Sequence, residues 1–289
     1  MVGTNITREK IVETVSNLVI KAAKILPAGV IHALKKAKTE EESQTAKKVL
    51  EILIKNAELA EKNSLPICQD TGIDCVFVDL GRELTLEFDL EEAIQEGIRQ
   101  GTKKGFLRAS VADPLKRKNT GDNTPGIIHL NLVSGRQLVI KVLPKGCGSE
   151  NMSALYMLPP SAGVDGIIEK VVNRVFEAGA NPCPPGIIGI GIGGTMEMAA
   201  LLSKKALLRP IGEHSKSDDV RELEKKILHK INDLGIGPLG LGGKTTALWV
   251  SIEVYPCHIA SLPVAINYQC HAARCATATL VDGEMEVAF

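Results

Sequence analysis

Apolar residues in the first part of the chain recur at helical spacing. Ile11, Val15, Leu18, Val19 and Ala22 fall on one face of a helix, with Thr7 as its expected cap and Pro27 as its stop. Thr39 is expected to open a second long helix, whose apolar stripe is Ala46, Val49, Leu50, Leu53, Ala57 and Ala60. Its other face is dense in Glu and Lys and reads as solvated surface. Pro66 breaks the pattern, and the period then shortens. Cys75 to Leu80, Leu84 to Phe88, Ile127 to Val133, Gln137 to Val142, Ile187 to Ile190 and Thr246 to Val254 read as strands. Ser134-Gly135-Arg136 reads as a hairpin turn between two of them. Helical periods over about Leu90 to Lys104, Val164 to Ala178, from Thr195, and Asp218 to Leu234 alternate with the strands. A last hairpin is expected to turn at Asp282-Gly283. The pattern holds no internal repeat or low-complexity linker. It predicts one α/β domain over 1–289, with a mixed sheet, a helical N-terminal layer over about 1–65 and a mixed part over about 66–289.

Composition narrows the function. The 289 residues carry 34 Lys and Arg against 34 Asp and Glu, so the chain lacks the basic surplus that phosphate neutralisation requires. Only 3% of residues are aromatic, too few for platforms that stack single strands. No nucleic-acid partner is expected. Arg8, Glu9 and Lys10 interrupt the start before any run long enough for a signal peptide. The uncharged run Gly179 to Met196 holds three prolines and six glycines and cannot be a spanning helix. No membrane segment is expected. Seven cysteines, an odd number, suit a reducing compartment better than a disulfide framework, and the cytoplasm is the expected location.

Three glycine-rich stretches invite phosphate readings. Gly189, Gly191 and Gly194 match G-x-G-x-x-G between a strand and a helix, with Glu213 near the acidic position of a dinucleotide fingerprint. The match falls two-thirds along the chain, after a Pro-rich lead, so a tight turn before a helix is the favoured reading. Gly242-Gly243-Lys244-Thr245 resembles the end of a P-loop, but Pro238 stands where the first glycine belongs and a strand follows. It is rejected. Lys145-Gly146-Cys147-Gly148-Ser149-Glu150-Asn151 offers main-chain amides on a flexible backbone.

The cysteines say more. Cys68, Cys75, Cys147, Cys183, Cys257, Cys270 and Cys275 include no C-x-x-C pair, which removes zinc ribbons and thioredoxin motifs. A lone cysteine is ordinarily a small buried hydrophobe, and Cys75, in an apolar run, is read that way. Cys68 precedes the polar turn Gln69-Asp70-Thr71-Gly72, Cys183 lies among Pro182, Pro184 and Pro185, and Cys270 stands between Gln269 and His271. Three thiols in polar or proline-bound loops suit a site better than a core.

Ile67-Cys68-Gln69-Asp70-Thr71-Gly72, the run Lys145 to Asn151, Cys183-Pro184-Pro185 leading to Gly193-Gly194-Thr195, and Cys270 with Arg274 occur in that order. Together they resemble the iron–sulfur-dependent class I fumarase and tartrate dehydratase family, in its α subunit or N-terminal catalytic region. The resemblance spans nearly the whole chain. It implies that Cys68, Cys183 and Cys270 hold a [4Fe–4S] cluster with one open iron, because three protein ligands leave one iron free to act as a Lewis acid. It implies that Gln69 and Asp70 face the substrate, that Arg108 clamps a carboxylate, and that Gly148 offers a main-chain contact. His258 matches a histidine near the cluster, paired with Asp70 for proton transfer. Taken singly, Arg108 reads as a surface arginine and His258 as a structural residue. Long single-chain members of the family have a triple glycine where this chain has Gly146-Cys147-Gly148, and Cys147, Cys257 and Cys275 are taken as non-ligands.

The resemblance therefore implies a hydro-lyase acting on a small dicarboxylate. Reversible hydration of fumarate to malate, a tricarboxylic acid cycle step, is the first choice, and tartrate dehydration the nearest alternative. A base for the carbon-bound proton is expected from a β subunit that also adds carboxylate-binding residues, in a heterotetramer of two α and two β chains. The end of the chain at Phe289, directly after the last hairpin, agrees with a separate β chain. Rival readings are a dinucleotide-binding oxidoreductase built on Gly189 to Gly194 and a non-enzymatic iron–sulfur scaffold or redox sensor.

Overall fold

A computed structural model describes residues 6–281 and 284–288. Helices α1 (Arg8–Lys24), α2 (Ala28–Glu40) and α3 (Gln44–Lys62) come first, followed by β1 (Ile73–Gly81) and α4 (Leu90–Lys104). Next are β2 (Ile127–Val133), β3 (Leu138–Lys145), α5 (Cys147–Glu150), β4 (Ala154–Leu158), α6 (Gly163–Ala178) and β5 (Gly186–Gly193). The chain continues through α7 (Met196–Ala206), α8 (Asp218–Asn232), β6 (Ala247–Tyr255), β7 (Leu262–Gln269), β8 (Ala276–Val281) and β9 (Glu284–Ala288). The class is α/β with mixed sheets, as the alternation of periods predicts.

The described residues group into two compact units whose segments interleave along the chain. One takes in Met1–Pro27, Ala57–Gly146 and Arg274–Phe289, the other Ala28–Asn56 and Cys147–Ala273. The strands divide accordingly into two sheets where the sequence suggests one, and the N-terminal helices are shared between the units.

In the first unit the sheet order is β2-β1-β3-β8-β9. Thr7 caps α1 by accepting the Lys10 amide at 3.2 Å, and the predicted stripe Ile11, Val15, Leu18, Val19 and Ala22 is buried. That face joins Val76, Val78, Ile94, Ile98, Leu138 and Ile140 in one apolar core. An 18-residue window within Arg8–Glu40 reaches a mean hydropathy of 1.4, but α1 ends before Pro27 and its apolar face is spent on this core. β2 and β3 do not form the expected hairpin. β2 lies parallel to β1 on one side, and β3 lies antiparallel to it on the other. The connection around Gly135 wraps the end of β1, where the Gly81 amide donates to Gln137 at 2.7 Å and the Arg82 amide to Val133 at 2.9 Å. Four linking residues reach across two strand spacings of roughly 5 Å each, and β1 lies between β2 and β3. Leu84 to Phe88 is not a strand: Leu84, Leu86 and Phe88 pad the core from an irregular segment. β8 and β9 pair antiparallel as expected, while Asp282 and Gly283 lie outside the described residues.

The second unit carries the sheet β4-β7-β5-β6. Thr39 does not open a helix. It lies inside α2, where its hydroxyl donates to Lys35 at 3.1 Å, and α3 starts at Gln44. β7 escapes period-2 reading because it is buried on both faces and carries Pro263. α8 is fastened to β6 through buried Glu224, which accepts the Ile252 and Ser215 amides at 2.9 and 3.1 Å and pairs with Arg209.

The glycines of the apparent dinucleotide fingerprint have a packing role. Gly189 and Gly191 lie within β5, directly under α7. A Cβ at Gly189 would run into the Ser203 carbonyl, and one at Gly191 into the Ala199 carbonyl and the Ser203 amide. The helix uses the space that a phosphate loop would leave open. The P-loop-like stretch is also accounted for. Gly243 has φ +124°, and the Lys244 amide beyond it donates to the buried Glu41 carboxylate at 2.8 Å. Burial would raise the Glu41 carboxyl, but the Ser43, Glu42, Lys244 and Thr245 amides hold it below the usual range.

Gly191→Ala is expected to destabilise the protein by about 3 kcal/mol, since backbone atoms of α7 cannot turn aside as a side chain would. Urea unfolding measures it, and stability within about 0.5 kcal/mol of wild type would refute the close approach.

Candidate functional site

Within the first unit, the predicted residues Cys68, Gln69 and Asp70 occupy the loop between α3 and β1. The Ile67 amide fixes its start by donating to Ala23 at 3.0 Å. Cys68 and Asp70 are half-buried and Gln69 is exposed. Asp70 closes a tight turn, its Oδ1 accepting the Gly72 amide at 3.1 Å. Gly72, at φ +82°, lies so close to Lys145 that a Cβ would sit 2.6 Å from its carbonyl carbon. The Asp70 carbonyl accepts from Nη1 of Arg274 at 2.7 Å, and Arg274 is only 1% exposed.

Arg108 is exposed, on the loop that follows α4. Its carbonyl accepts the Thr71 hydroxyl at 2.5 Å, which ties this loop to the Asp70 turn. A second tie is Asn123, whose Oδ1 accepts the Ser110 amide at 2.8 Å. Its Nδ2 donates to the Gly72 carbonyl and to Oδ2 of Asp74, both at 3.1 Å. Asp74 is buried on β1. Burial lifts its carboxyl to about 7, against the Asn123 hydrogen bond and the positive charge of Arg274, which both favour the ionised form.

Within the second unit, Cys183 and Cys270 come from adjoining loops. The Cys183 carbonyl accepts the His271 amide at 3.2 Å and faces His271 Nδ1 at 3.1 Å, so Nδ1 carries the proton. Cys183 has φ +53° between buried Pro182 and Pro184, which turns an exposed residue out of the packed loop. Gly148 lies on α5, exposed, and a Cβ there would meet only the Asn181 carbonyl, at 3.5 Å. No close packing demands glycine at this position, and the main chain is open to approach. Glu150 anchors the same short helix through Lys204 at 2.6 Å and Asn267 at 3.1 Å. His258 is exposed, its Nδ1 accepting the Ala260 amide at 3.1 Å. It lines a groove of about 330 Å³ with Met157, Thr195, Met196 and Tyr255, so the matched Gly194-Thr195 turn and His258 meet at one place.

The thiols separate by environment. Cys75 is buried in β1, and burial pushes the Cys275 thiol up to about 11. Cys68, Cys183 and Cys270 are loop thiols with partial or full exposure, and Cys147 and Cys257 are exposed as well. Among the described residues no three His, Cys, Asp or Glu side chains close on a single-ion site. A cluster bound through separate irons calls for wider thiol spacing than one ion does, and a soft all-sulfur donor set is the kind iron–sulfur clusters take. The donor chemistry of the three loop cysteines fits such a group.

Residues 12–279 match the family model described as fumarate hydratase (Fumerase). The chain belongs to this family. It is 46% identical, over 272 residues, to the putative L(+)-tartrate dehydratase subunit alpha of Methanocaldococcus jannaschii, covering 92% of this chain and 95% of that one. It is also 32% identical over 269 residues to the L(+)-tartrate dehydratase subunit alpha of Escherichia coli strain K12, covering 92% of this chain and 89% of that one. Both names describe adding or removing water, so the fumarate hydratase family membership makes hydro-lyase the reaction class. The relatives' names favour tartrate over the first choice of fumarate.

Sequence reading of this family member missed Asn123, Asp74 and Glu150 as supports of the site loops. Asp74 alone left a signal: a carboxylate inside an apolar strand run must find buried partners.

The Asp74 carboxyl binds its proton more tightly in the folded chain than in the unfolded one. It therefore erodes stability as pH rises from about 4 to 7, and its cost levels off above that. Asp74→Asn should change apparent melting temperature relative to wild type more favourably at pH 8 than at pH 4.5. A difference that is flat with pH, followed by thermal denaturation across that range, would contradict the raised value.

Proposed function

We propose that this chain is the α subunit of an iron–sulfur hydro-lyase that removes water from L-tartrate or a closely similar hydroxydicarboxylate. The observation that carries the reading is the 46% identity to a tartrate dehydratase α subunit over nearly the full length of both chains. Fumarate hydration is the second reading, favoured by the family description itself.

Cys68, Cys183 and Cys270 would hold a [4Fe–4S] cluster. Bound there with three protein ligands, the cluster supplies an iron with an open position and hence Lewis-acid chemistry toward a hydroxyl or carboxylate oxygen. The remaining work falls to the chain. Arg108 presents a planar fork of donors to a substrate carboxylate, which a lysine cannot reproduce. Gly148 offers its amide from an exposed backbone where a Cβ would meet only the Asn181 carbonyl, at 3.5 Å. Gln69 donates to a substrate oxygen, and the Asp70 carboxylate, oriented by the Gly72 amide, is assigned with His258 to proton transfer.

The chain supplies no assigned base for the carbon-bound proton, and one arginine under-neutralises a dianion. We assign both gaps to a β subunit, in an assembly of two α and two β chains, acting in a reducing compartment such as the cytoplasm.

Anaerobic iron analysis of single cysteine variants tests the ligand set. Cys68→Ser, Cys183→Ser and Cys270→Ser should each lose the cluster, whereas Cys75→Ser and Cys147→Ser should keep it. Iron loss in Cys147→Ser as complete as in Cys68→Ser would overturn the assignment. Gly148→Ala should leave folding and iron intact while raising KM for tartrate roughly tenfold in the assembled enzyme. A KM equal to wild type would remove Gly148 from the pocket. Turnover of tartrate and fumarate, with and without the β chain, decides the substrate and the need for a partner.

A further inference from the structure

We propose that Thr71 and Asn123 are positioning residues that set the Arg108 loop against the Asp70 turn, with Asp74 and Arg274 as their buried footing. The inference rests on the reading of Arg108 and Asp70 as substrate contacts, and it concerns groups that reading does not use.

The segment from Arg108 to Asp122 is long, largely exposed and without regular structure of its own beyond one isolated bridge between Ala112 and Asn119. It is closed on itself by local bonds: Asn119 Nδ2 donates to the Ala109 carbonyl at 3.0 Å, and the Thr120 amide to Val111 at 2.9 Å. Such a loop moves as one piece about its attachments. Its far side is held to α4, where Arg99 pairs with Asp122 at 3.0 Å and Gln95 exchanges two bonds with Gly126, at 3.0 and 2.8 Å.

The near side, which carries Arg108, depends on different groups. The Thr71 hydroxyl holds the Arg108 carbonyl, and Asn123 Oδ1 holds the Ser110 amide two residues on. The side chains that make both bonds are buried, Asn123 at 3% exposure and Thr71 at 5%. In that setting a hydrogen bond is hard to exchange for water, so the geometry is held stiffly. Asn123 is itself unusual, with φ +63° in the left-handed region that Asn tolerates better than most residues. That backbone aims one amide group at three partners on two segments: Ser110 on one, Gly72 and Asp74 on the other.

The footing is on the turn that presents Asp70. Asn123 binds the Gly72 carbonyl while the Gly72 amide binds Asp70 Oδ1, so one peptide turn is gripped from both ends. Arg274 grips the Asp70 carbonyl, and its Nη2 and Asp70 Oδ2 lie so close to Gly146 that a Cβ there would sit 3.3 and 3.1 Å from them. Displacing Thr71 or Asn123 therefore moves Arg108 relative to Asp70 without touching either side chain. A misplacement of this kind weakens binding of a dicarboxylate before it affects anything else.

The test uses the assembled α and β enzyme, loaded anaerobically, with tartrate as substrate. Thr71→Val removes the hydroxyl at nearly constant shape, Thr71→Ser restores it, and Asn123→Gly removes the side chain while suiting the positive φ. Thr71→Val should raise KM roughly tenfold with kcat within about twofold, and Thr71→Ser should return KM to near wild type. Asn123→Gly should raise KM and also lower kcat, because it frees the Gly72 carbonyl beside Asp70. Iron content should stay at the wild-type level in all three. Wild-type KM in both Thr71→Val and Asn123→Gly, in an active enzyme, would overturn the proposal and leave the functional reading standing. If the wild-type enzyme turns over neither tartrate nor fumarate, that reading fails and amide hydrogen exchange still decides this one. Exchange across Leu107 to Ser110 roughly tenfold faster in both variants supports the positioning role, and exchange unchanged from wild type overturns it.

Discussion

Residues that must meet a ligand cannot be buried in a strand or helix face, and loop backbones have no ladder to satisfy their polar groups. That constraint governs this chain. Cys68, Asp70, Arg108, Gly148, Cys183, His258 and Cys270 all lie in loops or at the edge of a very short helix. Several of these segments are fixed by side-chain bonds: Arg274 to the Asp70 carbonyl, Thr71 to the Arg108 carbonyl, and Lys204 and Asn267 to the Glu150 carboxylate behind Gly148. A protonated His271 Nδ1 does the same for Cys183. The packed cores supply rigidity, and these bonds transmit it to the site.

The chain interleaves between the two compact units. β1 begins at Ile73 beside the end of β3 at Lys145, and α5 follows β3 after a single residue, so the run Gly146 to Gly148 is the passage from one compact unit to the other. Arg274 marks the return of the chain to the first unit, four residues after Cys270. Two of the matched motifs, Lys145 to Asn151 and Cys270 with Arg274, therefore span points where the chain passes between units.

Much of this was legible in the sequence, and the failures have physical causes. Amphipathic α1, α4 and α8 announce themselves because one face is buried and the other is solvated. β7 does not, since burial on both faces erases the alternation. Ser134-Gly135-Arg136 has the chemistry of a hairpin turn, yet β1 occupies the space between β2 and β3. Gly189 and Gly191 imitate a phosphate loop because close helix packing and close phosphate approach ask for the same missing Cβ. Cys68, Cys183 and Cys270 stood out by their polar and proline surroundings, and the rest of the candidate site was legible only as ordered motifs of a family. Thr71 and Asn123 were invisible, because a hydroxyl or amide in a polar loop carries no sign of the partner it will find.

The central claim is that three loop thiolates leave one iron of the cluster accessible to a hydroxydicarboxylate. Mössbauer spectroscopy of the assembled enzyme, loaded with ⁵⁷Fe under anaerobic conditions, tests it most directly. The account predicts that adding tartrate shifts about a quarter of the iron signal and leaves the rest in place, as one changed site in four requires. A spectrum unchanged by saturating tartrate and by fumarate, or a cluster whose four irons are equivalent throughout, would contradict it.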